Sequence, residues 1–139
     1  MLSLKQCGRG EGYHILPQEK FSKAVKFAMD NNIAVGFDSC SCHRFLDSIK
    51  GSEDYKKMSM MAEPCESSAF SVYISVEGKF YPCSFAENVD EFGDGLDVVD
   101  CENFIRDIWM NKKTVQFRKN LLSGNRECPI YKIYDKEMV

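Results

Sequence analysis

The stretch that most constrains this chain is Phe70-Ser71-Val72-Tyr73-Ile74-Ser75-Val76-Glu77-Gly78-Lys79-Phe80-Tyr81-Pro82-Cys83. Residues 70–76 alternate in polarity, Glu77-Gly78 is a turn pair, and the extended pattern resumes from Lys79. Residues 70–83 therefore predict a β-hairpin. It ends on one cysteine, and another, Cys65, stands just before it.

Upstream, Leu2 and Leu4 alternate with polar neighbours and the run stops at Gly8-Arg9-Gly10, which reads as a short strand feeding a tight loop. Phe21, Ala24, Val25, Ala28 and Met29 fall at helical spacing, with Pro17 suited to the first turn and Asn31-Asn32 to the stop. Ile33-Ala34-Val35-Gly36-Phe37 is an apolar run of strand length. Residues 2–37 are thus expected to form strand, crossover helix and a second, parallel strand. A cysteine-bearing loop, Asp38 to Cys42, leads into a short helix with Phe45, Leu46 and Ile49 before Gly51, and a boundary is placed near residue 50. Tyr55 to Met61 predicts another short helix, whose methionines are read as gap-filling core in preference to an adaptable contact surface. Beyond the hairpin lies an acidic loop, then a helix with Phe104, Ile105, Ile108 and Trp109 capped by Asp100, then a helix from Thr114 to Leu122 stopped at Ser123-Gly124-Asn125. Trp109, Phe70, Tyr73, Phe80, Tyr81 and Phe85 are read as core of the hairpin region.

At 139 residues the chain has the length of one ordinary domain. With 18 Lys+Arg against 21 Asp+Glu it lacks the positive surface that binds phosphate backbones, so a nucleic-acid partner is not expected. No apolar run reaches the length of a signal peptide core or a membrane helix, and a cytoplasmic protein without a membrane partner is expected. In a reducing compartment the seven cysteines read as core thiols or metal ligands rather than disulfides.

Cys65, Cys83 and Cys128 fall at the ends of elements, and Cys40 and Cys42 lie in a separate loop. Four cysteines from separate loops suit a tetrahedral zinc site or a cubane iron–sulfur cluster, both of which take about four soft thiolates, and spacing alone does not choose between them. No CxxC pair is present, and isolated cysteines are commonly buried as inert small hydrophobes. Cys7 and Cys101 read as ordinary thiols. His14 and His43 have no paired nucleophile pattern around them; His43, beside Cys42, is the better candidate for a metal ligand. Gly8-Arg9-Gly10-Glu11-Gly12 lacks the features of a phosphate loop and reads as a turn. The Asp90, Asp94, Asp97, Asp100 run fails calcium-hand spacing. Asp38 reads as a cap for the following turn in preference to a catalytic acid, and no residue is assigned a catalytic role.

The run from Pro64-Cys65 through Phe70 to Cys83 resembles the accessory SPASM or twitch domain of radical S-adenosylmethionine enzymes, which places a cysteine, a hairpin with an acidic-glycine turn and a second cysteine in this order. The likeness continues through Phe104-Ile105-Arg106-Asp107-Ile108-Trp109, Phe117-Arg118 and Cys128, while Leu2-Ser3-Leu4-Lys5 and Gly36-Phe37-Asp38-Ser39-Cys40 resemble the last strands of the radical barrel. It implies an α+β fold with an α/β start: a partial barrel-derived β-α-β unit over residues 1–50, then a SPASM/twitch-like subdomain of hairpin plus helices over 51–139. It implies one auxiliary [4Fe–4S] cluster on Cys40, Cys65, Cys83 and Cys128, with Cys42 in reserve for Cys40 and zinc as the alternative metal. The CxxxCxxC triplet that holds the radical-generating cluster is absent. The expectation is an accessory module that docks a substrate or relays electrons without itself cleaving S-adenosylmethionine, or a noncatalytic remnant of such an enzyme that binds a protein or peptide partner.

Overall fold

The computed structural model describes residues 14–87, 89, 91–124 and 127–130. The chain divides into two compact units: Met1–Cys65 with Arg126–Cys128, and Glu66–Asn125 with Pro129–Val139.

In the first unit, helix α1 (Gln18–Asp30) starts after Pro17, whose φ of −53° already suits a helix entry. Phe21 and Val25, four residues apart, bury one stripe of it. Its end matches the predicted stop: Asn32 takes a left-handed φ of 53°, the Ile33 amide reaches back to the Ala28 carbonyl (2.8 Å) and the Asn32 amide to Met29 (3.1 Å). A short 3-10 turn, Ser39–Ser41, leads into α2 (Cys42–Ser48), and α3 (Tyr55–Met61) follows. Phe21, Val25, Phe45 and Ile49 form the buried cluster, with Met29, Val35, Phe37, Leu46 and Met58 packed against it. Phe37 stacks on Phe45 at 4.3 Å between ring centroids. Arg44 lies 4.6 Å from the centre of the Phe21 ring and donates from Nε to Gln18 Oε1 (3.0 Å), while Gln18 Nε2 donates to the Arg44 carbonyl (2.9 Å). These contacts fasten α2 to α1.

Two expectations are corrected in this unit. Ile33 to Phe37 carries no strand: Val35 and Phe37 pack on the helical cluster while Ile33 stays exposed. Its intended partner, residues 2–5, and the Gly8-Arg9-Gly10 turn lie outside the described residues. The methionines of α3 are not all core, since Met60 and Met61 are each 75 % exposed. Three methionines within four positions cannot all face one helical stripe.

The second unit holds a three-stranded antiparallel sheet in the order β1 (Tyr73–Ile74), β2 (Lys79–Tyr81), β3 (Leu96–Asp97). Tyr73 pairs with Tyr81 and Ile74 with Phe80, so the predicted hairpin is present, closed by the Gly78 amide on the Ser75 carbonyl (3.0 Å) with Gly78 at φ +74°. The third strand comes from the stretch read as an acidic loop; Phe80 pairs with Leu96 and Lys79 with Asp97. Its approach requires Gly95, where a Cβ would sit 2.9 Å from the Phe80 carbonyl oxygen at a φ of +74°. Beyond the sheet, a π-helical segment (Ile105–Trp109) replaces the expected α-helix, and α4 spans Lys112–Ser123. The cap of the former is Asn103, whose Oδ1 accepts from the Arg106 amide (2.9 Å), while the Asp100 amide instead donates to Asp97. Phe80, Tyr81, Ile108, Phe117, Leu121 and Ile130 are buried. Phe70, expected in this core, is 88 % exposed.

Two outcomes follow. Phe45→Ala removes a ring that is 2 % exposed, and is expected to cost about 3–5 kcal/mol, read by urea unfolding. The second concerns the half-exposed Lys79–Asp97 pair (2.5 Å). The donating ammonium holds the Asp97 carboxyl below the usual carboxylate range, and Asp97 holds Lys79 above its own. The pair therefore stabilises the fold above the unfolded carboxylate value of about 4 and below the unfolded ammonium value of about 10. Lys79→Met is expected to lower the melting temperature slightly at pH 7, the difference vanishing in acid once Asp97 is protonated; an equal difference at both ends of a pH series of melting curves would contradict this.

Candidate metal centre

Asp38 ends the approach to the first candidate ligands. Its Oδ1 accepts from the Ser41 amide (2.8 Å) and from the Ser41 hydroxyl, which folds residues 39–41 into the 3-10 turn. The reading of Asp38 as a cap is thus the one the geometry bears out. Cys40 sits half-buried within that turn, and Cys42 is buried as the first residue of α2.

Cys65 and Cys128, 9 % and 8 % exposed, belong to the same unit. Residue 127, beside Cys128, is held by the side chain of His43: Nε2 lies 3.3 Å from Glu127 Oε1 and 3.0 Å from Asp47 Oδ2. Through Nε2, His43 ties α2 to the Cys128 segment. His14 is exposed, and Cys7 lies outside the described residues.

Cys83 belongs to the second unit, half-buried between β2 and the 3-10 turn Ser84–Ala86. Its carbonyl accepts from the Ala86 amide (3.0 Å), and the Tyr73 hydroxyl donates to Glu87 Oε2 (2.9 Å), so the segment after Cys83 is anchored back to β1. That bond to the carboxylate, with burial, pushes the Tyr73 phenol above its ordinary range. Cys101 donates its thiol hydrogen to the Val98 carbonyl (3.2 Å), in keeping with the ordinary role expected of it.

Among the described residues, no group of three or more His, Cys, Asp or Glu side chains is gathered so that it could hold a metal ion. What fits an iron–sulfur cluster is the chemistry of the donors. Thiolates are the ligands such clusters take, and Cys65, Cys83 and Cys128 supply them from segment ends.

A further residue, invisible to the sequence reading, belongs in this account. Ser68, three positions after Cys65, is fully buried, takes a left-handed φ of 54°, and is the described side chain whose buried hydroxyl has no hydrogen-bond partner. Its backbone is satisfied: the amide donates to the Ser71 carbonyl (2.7 Å) and the carbonyl accepts from Arg118 Nη1 (3.4 Å). A buried hydroxyl without a partner costs about 1–3 kcal/mol, and a left-handed backbone in a residue other than glycine about 1–2 kcal/mol more. Ser67 and Ser68 read in the sequence as plain loop, and only the folded environment marks the second of them.

No helix among the described residues is long and apolar enough to cross a membrane. No curated protein and no solved structure significantly matches the chain. The family model described as SPASM, an iron–sulfur cluster-binding domain, matches residues 65–130. The match opens on Cys65 and takes in the hairpin, Cys83, the Ile108-Trp109 segment and Cys128, the same features that carried the resemblance in the sequence. Residues 65–130 of this chain are thus similar to the SPASM iron–sulfur cluster-binding domain.

Proposed function

We propose that the domain holds one [4Fe–4S] cluster on Cys65, Cys83 and Cys128, with Cys40 as fourth ligand and Cys42 as its substitute. The chain then serves a radical S-adenosylmethionine system as an accessory module that docks a substrate, a protein or peptide, or relays electrons. The observation that carries this reading is the family match, whose bounds begin at Cys65 and enclose Cys83 and Cys128. Cys40 lies outside that match and rests on its own sequence context, Gly36-Phe37-Asp38-Ser39-Cys40. When bound, such a cluster supplies a one-electron carrier whose potential is set by the groups around its sulfurs. The sequence has no CxxxCxxC, so the reading assigns these residues no part in cleaving S-adenosylmethionine.

A second reading has its own support. Met60 and Met61 present two exposed thioethers on α3, a helix with no buried residue, and such a surface suits a noncatalytic protein-binding module carrying zinc or no metal.

Anaerobic reconstitution separates the two. Wild type is expected to take up about four iron and four sulfide per chain, and Cys65→Ala/Cys83→Ala to retain under a tenth of that. Equal and negligible uptake by both would sink the cluster reading, and one zinc per chain without inorganic sulfide would favour the alternative.

A further inference from the structure

We infer that strand β1 pairs antiparallel with β1 of a second copy of this chain, so that two three-stranded sheets become one. The sheet order leaves β1 at an edge, with β2 on one side only. Tyr73 pairs with Tyr81 and Ile74 with Phe80, and the Ser75 amide donates to the Lys79 carbonyl (2.8 Å). Backbone groups of successive residues in an antiparallel ladder point to opposite sides. Those of Ser75 and Tyr73 face β2, so those of Val72 and Ile74 face outward, where no strand among the described residues pairs with them. The side chains along this edge are uncovered as well: Phe70 is 88 % exposed, Val72 39 %, Ile74 47 % and Val76 98 %. Edges meant to stay open carry lysine, proline or a charge to repel other strands, yet residues 67–76 hold none of these in a chain that is 28 % charged.

The occupant follows from the order of residues around Tyr73, which reads alike by type in both directions: Phe70-Ser71-Val72-Tyr73-Ile74-Ser75-Val76. An antiparallel pairing about a two-fold axis at Tyr73 sets Val72 opposite Ile74 and Ser71 opposite Ser75, with Phe70 and Val76 at the ends. Val72 and Ile74 are the residues whose backbone groups point outward, so each such pair is a hydrogen-bonded one, and symmetry repeats it. Apolar side chains meet apolar ones, and no charge faces a like charge. Covering the exposed apolar side chains removes on the order of 500 Å² from each copy, about 1,000 Å² in all, which is the lower bound of specific interfaces. The dimer is therefore weak, with a dissociation constant on the order of 10 μM. A net charge of −3 on each copy opposes it only slightly at ordinary salt.

The test is sedimentation velocity of the full chain from about 1 μM to about 1 mM, a range that brackets this constant. Wild type is expected to pass from monomer to dimer. Ile74→Lys places an ammonium opposite Val72 twice in the dimer and is expected to raise the dissociation constant at least about tenfold. Val72→Lys does the same from outside the β1–β2 register, which separates a blocked edge from a damaged hairpin. Leu122→Lys, at an apolar residue of α4 that is 66 % exposed, leaves the equilibrium unchanged. Hydrogen exchange of wild type gives a second readout: the Val72 and Ile74 amides slow as concentration rises, while the Ser75 amide, already bonded within the hairpin, does not change. A monomer at every concentration overturns the inference. So does a dimer that Leu122→Lys weakens as much as Ile74→Lys, or one in which the Val72 and Ile74 amides exchange equally fast at both ends of the series. The expectation is the same with and without iron and sulfide, so failure of the cluster reading leaves it standing.

Discussion

In the second unit, two irregular segments depend on a single guanidinium. Arg118, on α4, donates from Nη2 to the Trp109 carbonyl (2.7 Å), stands 4.5 Å from the centre of the Trp109 ring, and donates from Nη1 to the Ser68 carbonyl. The π-helical turn creates the need. Met110 reaches back five residues to Ile105 (2.8 Å), and Asn111 bonds to Ile108 (3.3 Å), so the Trp109 carbonyl is left to be satisfied from outside the segment. A planar fork of donors can meet that carbonyl, face the indole and still reach the 66–71 turn, which a lysine ammonium cannot do in one geometry. The position of Ser68 is thereby set by a residue 50 places away.

This explains which parts of the structure were legible in the sequence. The hairpin and α1 were, because their signals are local: period-two alternation with Gly78 at the turn, and Phe21 and Val25 one helical turn apart before Asn31-Asn32. The π-helical segment was not, because Ile105, Ile108 and Trp109 have the same spacing in either kind of helix, and the extra residue in the turn is decided by the Asn103 cap and by Arg118. Strand β3 has two residues, too few to show any period, and is recruited by Gly95 allowing close approach to β2. Phe70 continues the alternation of the hairpin but lies before its first paired residue, so the pattern extends further than the sheet.

The candidate ligands were legible by type and by their places at segment ends, whereas their arrangement was not, since that depends on which segments fold together. Arg126–Cys128 joins the first unit although the helix before it belongs to the second, and the His43–Glu127 bond is part of what fastens it there. No local pattern around Cys128 announces that return.

Burial of the cysteines does little to distinguish a ligand from a small hydrophobe, because Cys42, Cys65 and Cys128 would be equally buried in either role. The buried hydroxyl of Ser68 is a different case. A hydrophobic core gives no reason for a buried donor on a left-handed backbone, and the cost of leaving it unpaired is comparable to the net gain from one or two ordinary hydrogen bonds.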